Sequence, residues 1–420
     1  MTQSIKLSRR RFLKNLSLLG SAALTYGVLP KSVYAAQSGN GTKVLFLNLN
    51  GGLDGLYTLQ PSSGQLYSTL ASMRSTLTLN PGSLLQAKYG YGFHPNLPLF
   101  KSLFDTGELG SVLSVGYNNM SRSHLESEVA MSRGVADRLA VSQSGFLNRL
   151  GAYYKWDGLH AMSVSGTDLV FEGGDYRGLQ VRSLADFYFK SFGDWHDGDT
   201  YSEIKHIVDA AASQAQDAPT FDTRPEFAEF SNNLLSAENY TDVVQQAVDE
   251  HSPAVSYPNT YLGKGLKDID ILFSSPTLDT QVGYLKRGGL DTHSNQKDNL
   301  EPILSELNAA LTSFVTSMKS KGLWEEMIIM IYSEFGRTNR ENGSGGTDHG
   351  GANPVFLLGG AVNGGDILGD ISVSDLSNNG WLPMKYNIVE VYRRVVERMG
   401  LDPDAAFGPS GGPSLAGLFG

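Results

Sequence analysis

Met327-Ile328-Ile329-Met330-Ile331-Tyr332 is an unbroken apolar run that turns polar at once, into Ser333-Glu334-Phe335-Gly336-Arg337-Thr338. So short a run with no polar position fits a strand covered on both faces, an inner strand of a mostly parallel sheet. That requires helices on either side, hence a three-layer α/β fold. It also limits where function can lie, because ligands in such sheets bind beyond the carboxyl ends of the strands. A glycine-rich loop follows, then Gly346-Thr347-Asp348-His349-Gly350-Gly351 and a second apolar run, Val355-Phe356-Leu357-Leu358. Glu334, Arg337, Asp348 and His349 therefore stand where a site belongs, and the stretch reads as a metal-binding edge.

Other stretches have the same form. Residues 44–49 read as the first strand and run into Asn50-Gly51-Gly52-Leu53-Asp54-Gly55, where glycines allow a sharp turn and close approach to a ligand. Taken alone, Asp54 is an ordinary turn aspartate. Residues 111–117 read as a second strand, followed by Ser121-Arg122-Ser123-His124-Leu125-Glu126. Ser123 with Glu126 three residues on has the form of a capping box. A serine at the positive end of a helix is equally placed to ionise or to meet an anion, so cap and nucleophile both stand. Residues 280–285 read as a strand leading to Gly288-Gly289-Leu290-Asp291-Thr292-His293. An Asp and a His two apart can turn toward one ion. Behind them Leu300, Ile303, Leu304, Leu307, Leu311, Phe314, Val315 and Met318 recur on one face of a helix that Gly322 ends. Such a strand–helix–strand unit reads as a right-handed parallel crossover, which brings Asp291, His293 and Glu334 to one edge.

The remaining segments say less. Helices are expected at 265–273 and 388–399, the latter opened by Asn387 with Glu390 and stopped by Gly400. His94 reads as a site residue or as a loop histidine. His160, His196, His206 and His251 show no ligand spacing and read as structural or surface residues.

The chain opens with Ser8-Arg9-Arg10-Arg11-Phe12-Leu13-Lys14, an apolar segment over 16–29 and small residues ending at Ala35. This is the form of a twin-arginine signal peptide, residues 1–35, with the folded domain at 36–420. The expected location is periplasmic or otherwise exported, with the twin-arginine machinery as a partner and no transmembrane segment in the mature chain. Removing the leader's six basic residues and no acid from a chain of net charge −10 leaves about −16, which argues against nucleic acid as a partner. With no cysteine in 420 residues, any metal is held by oxygen and imidazole, a donor set suited to zinc or manganese.

Four strand ends thus carry acids, imidazoles or a serine, and a serine beside such ions is the arrangement for phosphoryl or sulfuryl transfer. Residues 49–56, Arg122-Ser123-His124, 290–296 and 333–351 resemble the DUF1501 family, exported bacterial proteins of the alkaline phosphatase/sulfatase-like superfamily. The resemblance implies an alkaline-phosphatase-like core and one or two divalent ions, zinc or manganese. It implies Asp54, Asp291, His293, Glu334, Asp348 and His349 as metal residues, Ser123 as nucleophile, and Arg337 or Arg122 as the clamp for a small anionic ester. Phe335 stands where the superfamily commonly has a ligand histidine. An alternative alignment makes Asp348-His349 the Asp-His pair. The function implied is an exported, metal-dependent hydrolase of phosphate or related esters. The alternative is a non-catalytic exported binding or assembly protein that keeps the fold and one metal.

Overall fold

The computed structural model describes residues 39–187 and 240–417, except 141, 143, 252, 253, 379, 413, 414 and 416. The leader, His196 and His206 lie outside the described residues. In chain order the strands are β1 (Lys43–Leu49), β2 (Leu59–Pro61), β3 (Leu85–Gln86), β4 (Tyr91–Phe93), β5 (Leu109–Gly116), β6 (Ala161–Ser163), β7 (Val282–Arg287), β8 (Met327–Tyr332), β9 (Asn353–Leu358), β10 (Ile367–Leu368) and β11 (Tyr386–Asn387). The helices used below are α1 (Gly55–Thr58), α2 (Gly64–Met73), α3 (Pro98–Asp105), α4 (His124–Arg133), α5 (Phe146–Tyr154), α6 (Tyr261–Ser274), α7 (Gln296–Ser320) and α8 (Ile388–Arg398).

The main sheet has the order β10-β5-β9-β8-β1-β7-β6, with β11 also on β5; β2, β4 and β3 form a small separate sheet. β8 lies inside, all its residues buried, as a run without polar positions requires. β1 pairs in parallel with both β7 and β8, so the crossover through α7 holds as expected. The second apolar run, β9, is antiparallel to both β8 and β5. The sheet is therefore mixed and mostly parallel, with one reversed strand.

Side-chain alternation along β1 splits the core in two. Leu45, Leu47 and Leu49 join a cluster with α3, α6 and α7, whereas Val44 and Phe46 join one with α4, α5 and α8. The stripe expected on α7 is buried from Leu300 to Met318, and its helix starts four residues earlier than the apolar pattern does. Helix α6 likewise begins at Tyr261, where the Thr260 side chain accepts from the Gly263 amide. The capping box at α4 does not form. Ser123 holds the cap position without a side-chain cap bond, and Glu126 accepts instead from the Ser121 hydroxyl.

His160 shows how the core treats an ionisable ring. It stacks on Trp156 with centroids 4.4 Å apart, and its Nε2 has no hydrogen-bond partner. Burial first, then the Lys43 ammonium, push it down to about 4 from 6.5. Below the unfolded value the unfolded chain binds a proton that the folded protein refuses, so this ring removes stability as pH falls from 6.5 toward 4. His160→Phe keeps the stack and removes the titration. Its melting temperature should fall less steeply than the parent's over that range, a difference on the order of 2–3 kcal/mol by the acid end. Parallel melting curves for the two proteins would show that the ring is not held neutral.

Candidate metal centre

Four chain segments meet at one edge of the sheet. The carboxyl ends of β1, β5, β7 and β8 deliver residues 50–54, 117–124, 288–293 and 333–337. The reversal of β9 supplies the rest: because β9 runs back from that edge, the residues that enter it lie beside those that leave β8. The two limbs are zipped by Gly336 N–H to Gly351 O at 2.7 Å, Gly350 N–H to Gly336 O at 2.8 Å and Thr338 N–H to Asp348 O at 2.9 Å. Gly51 lets the β1 loop close in. Its φ is +118°, and a Cβ there would lie 2.7 Å from the Asp291 nitrogen. Its own N–H donates to Glu334 Oε1 at 2.8 Å.

At the centre stands one oxygen, Asp291 Oδ1. His349 Nε2 lies 3.0 Å from it, His293 Nε2 3.1 Å and His124 Nε2 3.5 Å, while His293 Nε2 and His349 Nε2 are 3.0 Å apart. Among the described residues, the ligand atoms of His124, Asp291 and His349 form a group lying within 4.8 Å of one another. A tetrahedral ion bound to nitrogen and oxygen at about 2.0–2.2 Å sets its ligand atoms roughly 3.3–3.6 Å apart, close to the spacing here.

The outer partners fix which atoms face inward. His349 Nδ1 lies 2.6 Å from the Arg122 carbonyl oxygen, which can only accept, so Nδ1 carries the hydrogen. His293 Nδ1 donates in the same way to Asp348 Oδ1 at 2.9 Å, and His124 Nδ1 to Glu334 Oε1 at 2.8 Å. With Nδ1 so committed, each ring in its neutral form presents its Nε2 lone pair to the same carboxylate oxygen. The His124 Nε2 is buried and has no hydrogen-bond partner. Arg337 Nη2 donates to Asp291 Oδ1 at 2.8 Å. The three facing nitrogens have no donor between them that a cation would not replace, and imidazoles backed by carboxylates or carbonyls are the usual outer shell of a metal site. These residues fit a divalent ion, and three nitrogens with one oxygen suit zinc better than manganese.

The charges agree with this. Burial pushes the Asp291 carboxyl up, but the hydrogen bond from Arg337 leads the interactions that outweigh it and hold it at about 2. Burial also raises Glu334, and the hydrogen bond from His124 leads those that bring it below the ordinary range. The hydrogen bond from His293 lowers Asp348. The bond to Glu334 in turn raises His124.

The expected residues divide into three sets. Asp291, His293 and His349 meet at the centre. Glu334 and Asp348 stand one shell out, behind His124 and His293. Asp54 does not reach it, and Arg337 reaches it only as a donor to Asp291 Oδ1. Asp54 is buried with Arg74 Nη1 at 2.7 Å and Gln296 Nε2 at 2.6 Å on its Oδ2. Arg337 has no exposed side-chain surface and is walled in. Nε donates to Gly52 O at 2.7 Å, Nη1 to Thr347 O at 3.2 Å, and Nη2 to Gly51 O and to Leu290 O and Asp291 Oδ1 at 2.8 Å each. A guanidinium so engaged holds Asp291 in place and cannot clamp a substrate.

His124 is the candidate ligand that sequence reasoning passes over. It follows Ser123 at a helix start and reads there as part of the cap, while its partner Glu334 is 210 residues away. Phe335, in the expected place of an imidazole, is a wall instead. Its ring lies 4.9 Å from both the His124 and the His349 ring centroids.

Ser123 is exposed, between Arg122, whose carbonyl holds His349, and His124. The Arg122 guanidinium lies 4.5 Å from the Trp381 ring centroid.

A family described as "Protein of unknown function (DUF1501)" matches residues 65–414. No curated protein matches the chain. Among solved structures, a protein of the alkaline phosphatase superfamily from Vibrio parahaemolyticus is 11% identical, with 97% of this chain and 80% of that one covered and a TM-score of 0.35. The lipoteichoic acid synthase LtaP from Listeria monocytogenes is 9% identical, with coverage of 93% and 79% and a TM-score of 0.31. The PsFucS1 sulfatase from Pseudoalteromonas sp. is 12% identical, with coverage of 93% and 70% and a TM-score of 0.31.

Proposed function

Since this chain belongs to the DUF1501 family, a family without an assigned activity, its chemistry has to be read from its own site, and we propose that it is an exported, metal-dependent hydrolase of phosphate or related esters. The observation that carries the reading is the set of three imidazoles, each with Nδ1 tied to an acceptor, turning bare Nε2 atoms onto Asp291 Oδ1. His124, His293, His349 and Asp291 would hold the ion. Glu334 and Asp348 orient two of the rings and supply negative charge behind them. A divalent ion there lowers the pKa of a nearby hydroxyl and stabilises negative charge on the transferred group.

Ser123 is the nucleophile in this scheme. Its hydroxyl is not spent on a cap bond, and it opens α4, whose free N–H groups and dipole favour an anion. Its Oγ forms the new bond to phosphorus as the ester oxygen departs with its electron pair, and the serine proton is lost to solvent. Water then cleaves the seryl ester and restores the hydroxyl. Arg122 meets the anionic group, since its guanidinium lies over Trp381 rather than in an ion pair among the described residues. Arg337 is left with a positioning role.

The test is elemental analysis of protein expressed with its own leader in zinc-replete medium, followed by a panel of phosphate and sulfate esters. Bound zinc with turnover of an ester supports the reading. No divalent ion removes it, and an ion without turnover on any ester makes the chain a non-catalytic binding protein. Export is tested separately. With Arg9 and Arg10 replaced by Lys, the precursor should accumulate in the cytoplasm; mature protein at its normal level in the periplasmic fraction would remove the twin-arginine assignment.

A further inference from the structure

Asp54 leaves the same strand end as the loop that contacts Glu334, yet both its oxygens are committed. Oδ2 accepts from Arg74 Nη1 at 2.7 Å and from Gln296 Nε2 at 2.6 Å, and Oδ1 accepts from the Tyr57 amide at 3.2 Å. Arg74, just beyond α2, is itself buried, and its remaining nitrogens donate to Asn339 O at 3.0 Å and Thr338 O at 2.6 Å. The carboxylate therefore already has its counter-charge, from a cation built into the chain.

The other end of Gln296 reaches the loops that carry the centre. Its Oε1 accepts from Thr292 Oγ1 at 3.1 Å and from Thr347 Oγ1 at 2.6 Å. Thr292 lies between Asp291 and His293, and Thr347 immediately precedes Asp348 and His349. The Thr347 amide also donates to Thr292 O at 3.2 Å. One buried amide thus ties together the two loops that carry most of the ligands.

We infer that the centre takes a single ion, and that Arg74, Asp54 and Gln296 form a buried strut beneath it that positions its ligand loops. This rests on the metal-dependent reading above and narrows it. Asp54 and Gln296 are positioning residues: they touch no ligand atom of the centre and act through Thr292 and Thr347.

The experiment uses the full-length protein loaded with zinc and dialysed, with zinc per chain measured by elemental analysis and affinity by competition with a chelating dye. The wild type should hold one zinc per chain. Gln296→Met keeps the side-chain length and removes both hydrogen-bonding ends. It should still hold one zinc, with affinity lowered about 10–100-fold, as when other partners behind metal ligands are removed. Asp54→Asn should likewise hold one. Two zinc ions in the wild type, falling to one in Asp54→Asn, would overturn the inference by making Asp54 a ligand. Unchanged zinc affinity in Gln296→Met, with only its melting temperature lowered, would overturn the positioning role. A wild type that binds no zinc overturns the metal-dependent reading itself, an outcome distinct from either.

Discussion

Asp291→Ala should weaken zinc binding sharply, because Asp291 Oδ1 is the atom on which all three imidazole nitrogens converge. A structural zinc site contributes roughly 10–16 kcal/mol in all, so one of four ligands is worth about 2.5–4 kcal/mol, a loss of affinity of about 10²–10³-fold. His349→Ala should behave alike. The fold should survive, since both side chains are partly exposed and no core cluster includes them. Binding should also weaken on acidification, because protons compete for Nε2. The Glu334 hydrogen bond raises His124, so its competition begins at a higher pH than for an unperturbed imidazole. Zinc titrations of both variants and of the parent between pH 5 and 8, with circular dichroism as the check on folding, decide this. Equal affinity in parent and Asp291→Ala would mean that protons, not a metal, neutralise the cluster.

The second large effect is on turnover. Ser123→Ala should lose about 100-fold or more on the ester the panel identifies, the scale of losing a charge-stabilised attack. Its melting temperature should stay put. A working N-cap serine contributes about 1 kcal/mol, but Ser123 makes no cap bond that could be lost. Ser121→Ala is the contrasting variant. The Ser121 hydroxyl accepts from the Ser123 amide at 3.1 Å and donates to Glu126, so it does the local holding and should show up in stability first. Retained turnover in Ser123→Ala would leave Ser123 outside the chemistry and favour a binding protein.

Much of the fold was legible because buried strands announce themselves: β8 is apolar throughout, the cores of β1 and β9 are nearly so, and β5 alternates its apolar residues with the small Ser111 and Ser114. Their direction was not. Nothing in Val355-Phe356-Leu357-Leu358 distinguishes a strand running with its neighbours from one running against them, and that reversal is what carries His349 to the edge. Within the site, Asp291, His293 and His349 could be read because each lies beside a strand end in a glycine-rich turn. The pairing of Asp54 with Arg74 could not, since both partners look like ordinary loop residues until α2 folds back against the 338–339 segment. His124 was masked by its neighbour, because one short motif offered a serine with a familiar role and an imidazole without one. Distance hid the rest, and the carboxylates behind His124 and His293 come from far along the chain.

The exposure of the centre bears on how an ion would come and go. The Asp291 and His293 side chains are each 45% exposed. Nothing deep in the core has to open for a cation to reach them, and the same is true of a chelator. The rings are held from behind by Glu334, Asp348 and the Arg122 carbonyl. If the proposed ion binds, its occupancy would follow the free metal concentration around the protein.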